Sequence, residues 1–263
     1  MITSVQRSPI TALDRPTGHT VLVISDQPPM SSSSERASAA QDADSSAPLE
    51  GRLMTDTQYE PAHTGLLLMD PYNDFLSEGG KLWPLVEEVA TEVGLLDNLR
   101  AVVAAARAAG IQVFVVPHRR WRESNYANWN FLTADQAGGN ENRVFEDGAW
   151  GGDWHLDFAP QESDVVVHEH WGQSGFANTD LDLQLKKHGI THVVTVGMLA
   201  NTCIESISHY AMELGYHVTL VRGANAAWTR EMLHAAHDLN GPSYAHAILS
   251  SDEIVTAFKG AQV

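Results

Sequence analysis

Three side chains of this sequence have types and positions that suit covalent chemistry. Cys203, the only cysteine in the chain, stands in VGMLANTCIES, after a β-branched run ending at Gly197 and where a helix is expected to begin. A thiol in the first turn of a helix meets unpaired N–H groups and the positive end of the dipole, which favour thiolate over thiol. The same N–H groups can bind the oxyanion of a tetrahedral intermediate. The competing reading is a structural cysteine, since free Cys packs as a small hydrophobe. Asp70 closes GLLLMD; a carboxylate after three leucines and a methionine is partly desolvated and suited to proton transfer. Its alternative is a turn-forming aspartate before Pro71, a purpose that the neighbouring Asp74 would serve equally well. His168 closes DVVVH and supplies an imidazole.

These residues share a site only if the elements carrying them converge. GLLLMD (65–70), IQVFVVP (111–117), DVVVH (164–168), THVVTVG and YHVTLV (216–221) read as buried strands, with AILS as a possible sixth. Between them, residues 85–109, 178–189, NTCIESISHYAMELG, 226–239 and 252–258 carry helical spacing. Apolar strands alternating with helices predict an α/β fold, a Rossmann-like parallel sheet with helices on both faces. In such a sheet ligands bind outside the carboxyl ends of the strands. Asp70, His168 and the loop into Cys203 all fall at such ends.

Residues 1–60 differ. Their Ser-, Ala- and Pro-rich stretch DQPPMSSSSERASAAQDADSSAPLEG has no periodicity and predicts a flexible extension before a domain at 61–263. A formal net charge of −17 argues against nucleic acid or an anionic membrane as partner. One cysteine excludes an intrachain disulfide and a four-thiolate zinc site. With no apolar run of membrane-spanning length and no signal-like N-terminus, a soluble, cytoplasmic protein is expected.

Taken together, GLLLMDPYNDFLSEGGKLWP, HEHWGQSGFANTDLD and VGMLANTCIESISHYAMELGYHVTLV resemble the isochorismatase-like cysteine hydrolase family over about residues 63–258. The resemblance implies that Asp70 is the acid/base and Cys203 the nucleophile of an Asp–Lys–Cys triad. It also implies a cis peptide at Met198–Leu199, an oxyanion hole from the Leu199 and Cys203 N–H groups, and self-association into a homo-oligomer. The family lysine is replaced by histidine, most naturally His168, with His170 two residues on and facing the same way if the strand continues. Lys81, Lys186 and Lys187 do not substitute. Gly223 is a second departure, where relatives often carry an aspartate. Nicotinamidase-like relatives hold a metal with an aspartate and two histidines after the second strand. Here that region, VVPHRRWRESNYANW, offers His118 and three arginines, so neither a metal nor a cofactor is expected.

The long loop from His118 to about Ser163 is rich in tryptophan. Trp121, Tyr126, Trp129, Trp150 and Trp154 either lid the pocket or cover the sheet edge or a subunit contact. Phe75, Trp171 and Trp121 are the candidate substrate contacts. The reaction expected is hydrolysis of an amide-type C–N bond of a small carbonyl compound through a thioester. The alternatives are vinyl-ether hydrolysis in the isochorismatase manner, and a catalytically silent homologue serving as a binding or assembly subunit.

Overall fold

The computed structural model describes residues 59–261, so the Ser-rich extension lies outside the described residues. Strand β1 (Thr64–Met69) is buried along its whole length and occupies the middle of a six-stranded parallel sheet. The other strands are β2 (Gln112–Val116), β3 (Val165–Val166), β4 (His192–Met198), β5 (His217–Ala226) and β6 (Ala247–Ser250), in the spatial order β3-β2-β1-β4-β5-β6. The period of two sends alternate side chains to opposite faces. Leu66 and Leu68 therefore enter one core with Val194 and Val196, while Leu67 and Met69 enter the other with Val193. A strand apolar on both faces belongs between two helical layers, and that is where β1 lies.

In chain order the helices are α1 (Asn73–Leu76), α2 (Trp83–Glu92), α3 (Leu95–Ala108), α4 (Ala134–Glu141), α5 (Leu181–Lys187), α6 (Glu205–Glu213), α7 (Arg230–His234) and α8 (Ser251–Gly260). α3 shows why its residues choose a helix. Leu95, Leu99, Val102, Val103 and Ala106 repeat at helical spacing and are all buried. Arg107, in its last turn, reaches Asp164 at 2.5 Å and ties the helix to the approach of β3.

Four expectations about elements need correction. The single helix over 85–109 is two, α2 and α3, because Gly94 takes φ +67° and breaks the ladder. The third strand is only Val165–Val166, an edge position with Val166 exposed, although residue 170 returns to the sheet by a parallel bridge to His118. The helix over 178–189 begins at Leu181, after Asn178 has adopted φ +61°. β5 runs on to Ala226, which displaces the helix expected from 226: between the pairs Thr195↔Leu220 and Gly197↔Asn225 the strand bulges outward. Gly223 sits in that bulge at φ +83°, where a Cβ would lie 2.6 Å from Asn98 Nδ2, so glycine is what this backbone needs there.

At the sheet end opposite the strand carboxyl ends, three imidazoles stand in a row across β4, β5 and the approach to β6. His192 stacks on His217 at 4.8 Å, and His217 on His246 at 4.7 Å. Burial, joined by the neighbouring His192 and His246, pushes the His217 pKa down to about 4. His192 is lowered in the same way by burial and by His63. Unfolded histidines titrate near about 6.5, so the stabilisation from holding these rings neutral is complete above that pH and lost as pH falls toward 4. For His217 the loss is on the order of 2 kcal/mol, after discounting its partial exposure. Thermal melts should therefore show Tm dropping steeply between about pH 6.5 and 4, and His217→Gln should flatten that drop. An equally steep fall in the variant would clear the row of responsibility.

Candidate active site

The strand order reverses direction between β1 and β4: the chain moves outward through β2 and β3, then crosses back to β4. A crevice opens at such a switch point, above the carboxyl ends of the two strands. Asp70 follows β1 directly, and Cys203 lies on the turn that follows β4. Gly197 brings the strands close enough. It takes φ +112°, and a Cβ there would fall 2.2 Å from the Met69 carbonyl oxygen, so no side chain fits between β4 and β1 at this level. The Met198–Leu199 peptide bond is cis, at the position the family resemblance implied.

Asp70, His170 and Cys203 form one buried group, each offering a donor atom within 4.8 Å of the others. Asp70 and His170 are both 0% exposed, and His170 Nε2 lies 3.1 Å from Asp70 Oδ1. The other imidazole nitrogen, Nδ1, faces the Gly172 carbonyl at 2.9 Å and must donate to it. A carboxylate oxygen cannot donate to a bare nitrogen without a proton of its own, so a second proton lies between Nε2 and Oδ1. The pair thus carries the proton that a lysine would have brought. Among the described residues, Asp70 Oδ2 is buried without a hydrogen-bond partner.

His168 does not occupy the lysine position. Its side chain is 79% exposed and its Nδ1 sits 3.7 Å from Asp180. The physical reason is the register at the sheet edge. His170 N–H donates to the Pro117 carbonyl and its own carbonyl accepts from Arg119 N–H, which re-pins the chain to β2 two residues later than the expected strand end. Strand periodicity gives residues 168 and 170 the same face, so sequence could not choose between them; only the long-range pairing decides.

The helix-start preference for thiolate is outweighed at Cys203. Burial pushes the Cys203 thiol well up, and the Asp70 carboxylate adds to the rise; Thr202 and the Leu199 amide pull the other way but do not prevail. Low dielectric penalises the anion more than one helical turn stabilises it. The turn itself is of the wide π type over Ala200–Ile204 and runs into α6. The sulfur therefore holds its proton beside a carboxylate that can take it.

Asp74 resolves in favour of structure. Its Oδ1 accepts from Lys81 N–H at 3.0 Å and its Oδ2 from Phe145 N–H at 2.7 Å. Both oxygens are spent on backbone, pinning the long loop to the end of β1. Gly151 completes the fit, since a Cβ there would come within 2.3 Å of Asp74 Oδ1.

The aromatic candidates divide. Phe75 is buried, 5.1 Å from the Phe145 ring and 6.2 Å from Trp228, on the short α1 that follows Asp70. Trp121 gives its indole N–H to Asn140 and lies under the Arg143 guanidinium, so it holds the outer loop together. Trp171, next to His170, stacks on Trp129 at 5.9 Å and carries the Arg119 guanidinium 4.0 Å above its ring. Trp154 stacks flat on Tyr72 at 5.0 Å and closes the sheet end. His118 stands edge-on to His170 at 5.1 Å; burial and the neighbouring His170 lower its pKa. Around them Glu169 gathers Arg119, Arg120 and Arg122, with N···O separations of 3.9, 2.9 and 3.5 Å.

Comparison with known proteins bears on the family and the fold. The chain is similar to ureidoacrylate amidohydrolase RutB of Pantoea ananatis, 29% identical over 176 residues, covering 63% of this chain and 70% of that protein. Ureidoacrylate amidohydrolase RutB of Klebsiella pneumoniae is 32% identical over 161 residues, covering 56% of this chain and 66% of the relative, so the match spans about two thirds of these proteins. Among solved structures, a cysteine hydrolase from Pseudomonas syringae pv. phaseolicola shares the fold with a TM-score of 0.63 at 22% identity, over 82% of this chain and 99% of that one. A putative isochorismatase hydrolase from Oleispira antarctica superposes with a TM-score of 0.57 at 27% identity, over 77% and 99%. The model of the isochorismatase domain matches residues 64–251, and the chain belongs to that family.

Proposed function

We propose that this protein hydrolyses an amide-type C–N bond of a small molecule through a thioester on Cys203. The observation that carries the reading is the buried group of Asp70, His170 and Cys203, at the switch point of the sheet, with the thiol protonated beside a carboxylate oxygen that has no other partner. When a carbonyl carbon meets the sulfur, Asp70 takes the thiol proton through Oδ2 and the S–C bond forms. The Leu199 and Cys203 N–H groups receive the charge on the carbonyl oxygen. Asp70 returns the proton to the departing nitrogen. It then deprotonates the water that opens the thioester, and the thiol leaves reprotonated.

His170 works through Asp70. By holding Oδ1 it leaves Oδ2 to the sulfur, and with its extra proton it keeps the buried site from carrying an unbalanced negative charge. This is the lysine's task done by a different cation. Arg119, over the Trp171 ring and donating to Asn125 Oδ1 at 3.3 Å, is the guanidinium proposed to receive an anionic end of the substrate. A small amide or ureido compound bearing a carboxylate fits both features, and the relatives named for ureidoacrylate accord with it.

Three measurements bear on this. Incubation with a panel of small amides and ureido acids should give an acyl adduct on Cys203 by intact mass, absent in Cys203→Ala; a chain that stays unmodified and releases no amine across the panel would point to a binding role instead. Asp70→Asn should lower turnover by about 10²- to 10⁴-fold, and His170→Ala by about 10- to 100-fold, whereas His168→Ala should stay within about twofold of the parent. If His168→Ala matched the loss of His170→Ala, the assignment of the cation would be wrong. Alkylation of Cys203 at pH 7 should be slower than that of a free thiol and should quicken only at alkaline pH. Asp70→Asn should move that rise to lower pH by removing the anion that disfavours thiolate.

A further inference from the structure

The exchange of lysine for histidine changes what the buried group can hold. A protonated lysine repels a metal ion, whereas an imidazole, a thiolate and a carboxylate make up the ligand set of a zinc site that keeps a fourth position open. We propose that Asp70, His170 and Cys203 form an inhibitory binding site for a zinc-type divalent ion, competing with the hydrolytic reaction. This goes beyond the assignment of the hydrolase, resting on the same three side chains but not on the reaction they perform.

Four observations support it. The donor atoms lie within 4.8 Å of one another. Tetrahedral bonds of about 2.0–2.3 Å place neighbouring ligands roughly 3.2–3.7 Å apart, so Nε2 and Oδ1 at 3.1 Å already fit and the sulfur has about 1 Å to travel. His170 Nδ1 is held by the Gly172 carbonyl at 2.9 Å, the outer hydrogen bond that orients metal-binding histidines and aims Nε2 at the ion. Asp70 Oδ2, fully buried and with no hydrogen-bond partner among the described residues, offers an ion a second carboxylate oxygen. Charge also balances. A divalent ion entering the site displaces two protons, one from the thiol and one from between Nε2 and Oδ1. The dry site is neutral before and after. The three arginines nearby are gathered on Glu169 rather than on the triad.

The ion takes the sulfur's lone pair and Asp70 together, so neither attack nor proton transfer is possible while it stays. Cobalt(II) serves as the spectroscopic probe, and because Cys203 is the only cysteine, any thiolate–metal band reports this site alone. Titration of the parent chain with Co²⁺ should give one equivalent of four-coordinate visible bands with a near-ultraviolet thiolate band, discharged by Zn²⁺. Zn²⁺ should slow methyl methanethiosulfonate modification of Cys203 at least tenfold, and a chelator should restore it. His170→Lys should lose both effects, and His170→Gln should weaken them; circular dichroism checks that each variant is folded. Cobalt bands that survive Cys203→Ser, or that disappear with His246→Gln, would place the ion in the histidine row and overturn the proposal. No band at one equivalent, or modification unaffected by zinc, would overturn it too. Acyl-adduct formation in metal-free buffer is a separate readout, so failure of metal binding leaves the hydrolase assignment standing, and the reverse also holds.

Discussion

A carboxylate with no exposure to water cannot keep its charge unless a cation or hydrogen-bond donors stand beside it. That requirement at Asp70 governs the arrangement around it. His170 meets it, and the position of His170 depends on a short stretch of pairing to Pro117 and Arg119 at the very edge of the sheet. Cys203 feels the same charge from the other side, since the Asp70 carboxylate joins burial in keeping the thiol protonated. In the proposed reaction, activation is thereby coupled to occupancy. A permanently ionised sulfur would be open to any electrophile or oxidant, whereas a protonated, buried one is shielded from both.

The sheet makes this possible by close approach. β1 and β4 run side by side up to Met69 and Gly197, and the absent side chain at 197 lets Asp70 and the turn bearing Cys203 share one hollow. Bulk at that glycine would collide with the Met69 backbone and push Asp70 and Cys203 apart. The second departure from the family pattern, Gly223, has a backbone cause instead: a left-handed conformation in the bulge of β5, against Asn98.

Much of this was legible in the residues. The burial of β1 followed from its unbroken apolar run, the end positions of Asp70 and Cys203 followed from strand boundaries, and the family motifs named both. Where reading failed, the cause was non-local. Residues 168 and 170 share a face, and only pairing with β2 distinguishes them. The break at Gly94 lies inside a pattern that is apolar on both sides, so periodicity alone carries through it. Cys203 sits at a helix start, which argues for thiolate, but the opposing burial and carboxylate come from β1 and cannot be read from its own neighbours. Asp70 and Asp74 look interchangeable in sequence. They part only because residues 81 and 145 return to spend both oxygens of the second.

That spent carboxylate has a consequence for how the protein can diversify. Asp74 grips the long loop by main-chain amides, which every residue except proline provides; its carboxylate demands smallness at Gly151, as the Glu146 carbonyl does at Gly152. The grip does not depend on which side chains stand at 81 and 145, only on their main-chain N–H groups. A library confined to exposed loop positions such as Phe131 and Leu156 would vary the outer surface with that grip kept in place.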